Sequence, residues 1–320
     1  SLDLLADMFF NSKFNEKDIE IEKNVILEEI GMYEDTPEEL VHDILSEAVW
    51  QNNPLGMPIL GTSRSLNNIK RDEIKKYMLE NYFPENTVIA IAGNFEKDRA
   101  IESVEERFGK WEHSNNYKDK EMQVAKFKNN KIFREKETEQ VHVCLGFEGV
   151  KHGSDELYSL LAVNNILGGG MSSRLFQKIR EEKGLVYSIY SYPSSYKNAG
   201  LFTIYAGMNP EHLGEVLKLI TNEINILVEK GIPERDIAKS KEQLKGNYIL
   251  GLESTSSRMN GIGKSEVLLG KILSAQEVLD KIDKIDSENV NAVINKVFDL
   301  NNIGLSVVGN IKGDIDLKNI

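Results

Sequence analysis

Residues 69–94, IKRDEIKKYMLENYFPENTVIAIAGN, recur without a gap as residues 285–310, IDSENVNAVINKVFDLNNIGLSVVGN, at an offset of 216. Ile74 meets Val290, Met78 meets Ile294, Tyr82 meets Phe298, and Gly93-Asn94 meets Gly309-Asn310. A second block agrees: EKDI at 16–19 returns as ERDI at 234–237, an offset of 218. Self-similarity over such a distance means that one supersecondary unit occurs twice, so the fold has to be built from two related halves. The second unit begins near Lys131. Subtracting 216 from 131 puts the start of the first about 85 residues before Ser1, and we expect the sequence to enter its first unit partway through. Polar HSNNYKDKEMQ, residues 113–123, is the expected linker, which gives units of 1–118 and 124–320.

Within that frame, periodicity predicts a helix over 14–33, and EDTPEEL starts another. Thr36 is its expected N-cap, with Pro37 at the first helical position and Glu39 completing a capping box, and it runs to about Trp50. The turn-rich QNNPLGMPILGT follows. Helices from about Asp72 to Asn81 and Asp98 to Phe108 flank a strand at TVIAIAG, residues 87–93. In the second half, strands are expected at VHVCLGF, LVYSIYSY, GLFTIYAGM and GLSVVGN, with a helix over 155–167 and a short one at RLFQKIREE. Helices mixed with alternating strands imply an α+β or α/β arrangement.

A net charge of -12 and a pI near 5.1 disfavour nucleic acid or an anionic membrane as partner, because phosphate binding needs clustered Lys and Arg. No apolar run approaches the roughly 18 residues that span a bilayer. The single cysteine, Cys144, rules out an internal disulfide or a CxxC knuckle and fits a reducing compartment, so a cytoplasmic location is expected. Its neighbours in VHVCLGF mark it as a small buried hydrophobe in a strand.

The first helix poses the chemical question. Ile19, Glu22, Ile26, Glu29 and Tyr33 fall at alternating three- and four-residue steps and share one stripe, so two carboxylates interrupt an apolar seam. An inward unpaired carboxylate is costly, and such a seam calls for a partner for the charge. On spacing alone, a solvated face in a glutamate-rich helix explains the pair more simply. The repeat argues the other way: at offset 218 Glu22 aligns with Ser240 and Glu29 with Asn247, so the helix recurs and its carboxylates do not. A structural need should recur in both units. Glu28 lies off the stripe and reads as a surface residue.

EKNVILEE followed by MYEDTPEEL, NPLGMPILGT, ENTVIAIAGN, LGGGMSSRLFQKIREEKGLVYSIYS and the closing VVGN resemble, in order, the landmarks of the inverted-motif zinc peptidases. That family includes pitrilysin, insulin-degrading enzyme and the β subunit of mitochondrial processing peptidase; the likeness is to the shorter, processing-peptidase-like branch and covers essentially the whole chain. The ExxxxxxE pair and RLFQKIREEKGLVYS are its most specific elements.

The resemblance implies an α+β fold of two repeated units, each a mostly antiparallel sheet covered by helices, and a zinc endopeptidase acting on unfolded peptides, held by strand addition in a chamber, with a homodimer expected. It implies Glu29 as a zinc ligand and Glu22 as the acid supporting it. Three protein ligands would leave the fourth zinc position open for an activated water. Arg180 and Tyr187, also seven apart but across a turn at Gly184, are implied to reach the substrate backbone; read from sequence alone they are a surface Arg beside a half-buried Tyr. No HxxEH occurs: His42, His113, His142, His152 and His212 are not at ligand spacing and read as loop or surface residues. The motif is expected upstream of Ser1, and this chain alone is expected to be inactive. The alternative is a non-catalytic peptide-binding or scaffolding relative. GGG at 168–170 follows a helix and lacks a P-loop lysine, so it reads as a flexible turn and a candidate hinge.

Overall fold

Apolar, β-branched segments bury both faces only where a sheet has cover on each side. VHVCLGF, GLFTIYAGM and GLSVVG are such segments, and in the computed structural model, which describes residues 2–112 and 122–311, they are the central strands of one sheet. Nearly all of the expected linker, 113–121, lies outside the described residues. Packing divides the chain into two compact units. One comprises 1–31, 60–121 and 250–273; the other comprises 32–59, 122–249 and 274–320.

The larger unit contains β1 (Lys131–Glu135), β2 (Val141–Glu148), β3 (Ser188–Ser195), β4 (Gly200–Met208) and β5 (Gly304–Gly309) in the order β1-β5-β2-β4-β3. Only the β1–β5 pair is parallel. Side chains alternate across the sheet. Val143, Leu145 and Phe147 face a core shared with α7 (Leu157–Leu167), α8 (Leu213–Lys230) and α12 (Ser287–Val297), while Cys144 and Val308 face α3 (Pro37–Val49). Gly304 lets α3 come close, since a Cβ there would collide with Val49. Ser306 Oγ donates to the Val41 carbonyl at 2.7 Å across the same contact. The open edge of β3 is occupied: Ser191 N donates to Gly168 O at 2.9 Å. By the alternation of the ladder, Pro193 turns its N–H-less nitrogen to that edge as well.

The smaller unit is helical. It contains α1 (Leu2–Phe10), most of α2 (Glu16–Glu34), α4 (Ser63–Asn68), α5 (Arg71–Asn81), α6 (Lys97–Phe108) and α10 (Thr255–Leu269). An aromatic cluster of Phe9, Phe10, Tyr82, Phe108 and Trp111 joins its first and last parts. Among its described residues only Ala6, Lys23, Leu66 and Phe83 are buried.

The repeat holds at the helices. Helix α5 and its counterpart α12 share both ends at offset 216, and α2 and α9 (Glu234–Gly251) share their starts at 218. Gly93 and Gly309 adopt φ of 146° and 143°. Four expectations need correction. TVIAIAG forms no strand, because no described strand lies beside it to complete a ladder, so the smaller unit has no sheet among its described residues. Thr36 does not form the capping box; its hydroxyl turns back to the Met32 carbonyl at 2.8 Å, as the short link from α2 allows. RLFQKIREE winds into a π-helical turn over Phe176–Glu181. The units also do not follow a cut at 118–124: α3 packs onto the sheet of the larger unit, because that sheet offers its apolar face a cover.

Candidate active site

Glu22 and Glu29 stand on α2, seven residues and so about 10.5 Å apart along its axis, on one face. Both are exposed. Ile19 and Ile26 are half-buried and Tyr33 is exposed, so the stripe is not the buried seam expected; the residue α2 buries is Lys23, paired with Glu20 at 2.8 Å. The stripe lies open within its unit, and carboxylates in water need no partner. The counterpart stripe on α9 is closed in its first half only: Ile237 and Ser240 are buried, and Ser240 Oγ donates to the Ala162 carbonyl of α7 at 3.1 Å, whereas Asn247, the counterpart of Glu29, is exposed. Glu28 is exposed, as expected.

The second pair is brought together. Gly184, at φ 65°, turns the chain back, and Arg180 Nε donates to the Tyr187 carbonyl at 2.9 Å. The guanidinium lies 4.8 Å from the Phe176 ring centre and reaches Glu181 at 3.3 Å. Tyr187 is tied to the end of β4 through its N–H, which donates to Gly207 O at 2.8 Å, while its phenol is exposed. A guanidinium edge and a phenol thus stand free at one corner of the larger unit, both able to donate to a carbonyl or an oxyanion. The π-helical turn that carries Arg180 is a rare conformation, frequent at functional sites.

A cluster that the spacing did not reveal lies between α3 and the sheet. Tyr192 Oη and Tyr190 Oη approach His42 Nδ1 and Nε2 at 2.8 and 3.3 Å, Cys144 Sγ lies 3.3 Å from Nδ1, and His142 Nδ1 meets Tyr205 Oη at 2.8 Å. His42 is half-buried and His142 buried, so these two are not the loop or surface residues expected. Burial, with His142 nearby, pushes His42 down to about 4. Burial likewise lowers His142, raises Tyr190 to about 12 and pushes the Cys144 thiol well up. The Cys144 thiol is fully buried, so it is out of reach of a substrate. Cys144 is the buried strand residue expected, and the cluster holds α3 to the sheet. His113 lies outside the described residues. Gly168 is pinned too tightly for a free hinge, since a Cβ there would run into Ser191.

Among the described residues no group of three or more His, Cys, Asp or Glu is placed to hold a metal ion. Among the described residues, Glu22 and Glu29 are therefore not joined by further ligands at one site.

Residues 68–244 match the family model described as peptidase M16 inactive domain, and residues 1–63 match insulinase (peptidase family M16). YmxG, an uncharacterized zinc protease of Bacillus subtilis (strain 168), is 45% identical over 298 residues, covering 93% of this chain and 72% of that relative. An uncharacterized zinc protease of Streptomyces coelicolor is 36% identical over 321 residues, covering 98% and 69%. A solved peptidase M16 inactive domain from Pseudomonas fluorescens superposes with a TM-score of 0.88 at 20% identity, covering 96% of this chain and 74% of its own; at that identity the likeness speaks for the fold alone.

Proposed function

The chain belongs to peptidase family M16, and from that premise we propose that it forms part of a zinc-dependent endopeptidase that hydrolyses peptide bonds in unfolded peptides. The observation that carries the reading is the meeting of Arg180 with Tyr187, which leaves two fixed donors exposed at one corner. Fixed donors of this kind stabilise charge that develops on a carbonyl oxygen without reorganising during the reaction. They hold the substrate backbone.

Zinc, when bound in such an enzyme, supplies the activated water. Glu29 would contribute one carboxylate ligand, and Glu22, two turns earlier on the same face, would support the site without touching Glu29. The repeat supports the inward sense of this stripe. On α9 the equivalent face closes on α7 at Ile237 and Ser240, the counterparts of Ile19 and Glu22. Peptide binding by strand addition, a homodimer and a cytoplasmic location complete the proposal.

Zinc content and hydrolysis of an unstructured fluorogenic peptide by the intact protein test it, with Glu29→Gln as the probe. Loss of both is expected. Retention of both sinks the reading, and peptide binding without hydrolysis in the unmodified protein would make it the peptide-binding relative instead.

A further inference from the structure

The π-helical turn over Phe176–Glu181 has to be held in place by something. Its wide hydrogen bond, Glu182 N to Gln177 O at 2.9 Å, spans five residues where an α-helix spans four. Such a turn holds one residue more than regular helix. If it relaxed to α geometry, every side chain after the slip would swing by about 100° around the axis. Arg180 would then leave the Tyr187 carbonyl, and the pair would come apart.

Two residues oppose that slip. Ile179 is fully buried in the core. Lys178, whose ammonium is half-exposed, forms an ion pair with Glu223 of α8. Glu223 is only 5% exposed, and its second oxygen has no hydrogen-bond partner among the described residues. A buried carboxylate satisfied on one side depends on its cation, because removing one member of such a pair leaves an uncompensated charge away from water. The carboxylate therefore fixes Lys178. Two residues on, Arg180 leaves the other side of the turn toward Tyr187 and the Phe176 ring.

We propose that Glu223 is a positioning residue, acting through Lys178 to hold the π-helical turn in the register that presents Arg180 and Tyr187. This rests on the reading of Arg180 given under the proposed function. It adds that the donor geometry is set by a buried charge on a different helix, which touches no substrate.

Two readouts test it, one of them independent of activity. The first is exchange of the Arg180 Nε–H with solvent, followed by NMR in the 320-residue chain. Glu223→Gln keeps the shape and removes the charge, and Lys178→Met removes the other partner. About tenfold faster exchange is expected in each, with unchanged far-ultraviolet circular dichroism showing that the fold persists, and the reversed pair Lys178→Glu with Glu223→Lys should recover slow exchange. Unchanged exchange in both single variants overturns the proposal.

The second readout is kcat and KM of the intact peptidase on an unstructured fluorogenic peptide. Glu223→Gln should lower kcat about tenfold or more with little change in KM, as expected for a contact made in the transition state. If Arg180→Ala abolishes hydrolysis and Glu223→Gln does not lower it, the clamp is wrong and the peptidase reading stands. If Arg180→Ala leaves hydrolysis intact, the assigned role of Arg180 falls, and the exchange rate alone decides the clamp.

Discussion

Residues 88–93 and 304–309 are copies of one strand sequence with different fates. VIAIAG ends in a glycine at φ 146° and forms no ladder; GLSVVG ends in a glycine at φ 143° and lies between β1 and β2 with every residue buried. The helices before them have the same bounds at offset 216, so the local chain is alike to the end of each segment. What differs is company. Strand structure is shared hydrogen bonding, and a segment with strand propensity stays extended and half-exposed until neighbours lie on both sides. The exposed Glu22 of α2 and its buried counterpart Ser240 on α9 repeat the lesson at a helix.

The contrast can be broken residue by residue, and the molecule has a reporter for each half: Trp111 in the smaller unit and Trp50, almost fully buried, in the larger. The largest effect is expected from Val307→Asp, which places a carboxylate inside β5 and should cost about 4 kcal/mol or more in urea unfolding followed at Trp50. Its counterpart Ile91→Asp should cost under about 1 kcal/mol. Equal losses would mean that residues 88–93 are as enclosed as β5.

Phe298→Ala comes next. The ring lies 5.4 and 5.0 Å from those of Phe147 and Phe202, and its loss should cost about 3 to 4 kcal/mol. Tyr82→Ala, at the same repeat position but largely exposed, should cost about 1 kcal/mol on the Trp111 signal.

A third distinction is in pH dependence. The larger unit encloses His42, whose pKa falls from 6.5 to about 4 on folding, so the unfolded chain takes up a proton there first. Stability at Trp50 should therefore fall as pH drops from about 6.5 to about 4, by up to about 3 kcal/mol, and level off below. His142 acts in the same direction. His42→Gln should flatten the slope, and an unchanged slope would assign it to other groups. The smallest contrast is between Gly309→Ala and Gly93→Ala. Both strain the backbone, but only at Gly309 would the new Cβ meet atoms, Gln140 O at 2.8 Å and Val141 Cα at 2.9 Å. Gly309→Ala should cost about 1 kcal/mol more.

Much of this architecture was legible in the sequence because it rests on local pattern. The apolar runs of β2, β4 and β5, the Pro37 start of α3 and the repeat itself need no tertiary knowledge. Strand β1 was missed: KIFRE is short and carries charge on both faces, and β5 beside it makes it a strand. The π-helical turn escaped because propensity does not separate five-residue from four-residue closure. At the site, spacing placed Glu22 with Glu29 and flagged Arg180 with Tyr187, but it could not tell an open stripe from a closed one. Nor could it find the tyrosines around His42, which lie 148 and 150 residues away in the chain.

The blocked edge of β3 sets a polarity for the whole sheet. An incoming strand would meet an amide already engaged by Gly168 and a proline ring with nothing to donate. The sheet cannot be lengthened from that end by a peptide or by another copy of the chain. Extended polypeptide that added to this sheet would have to pair with backbone other than the middle of β3.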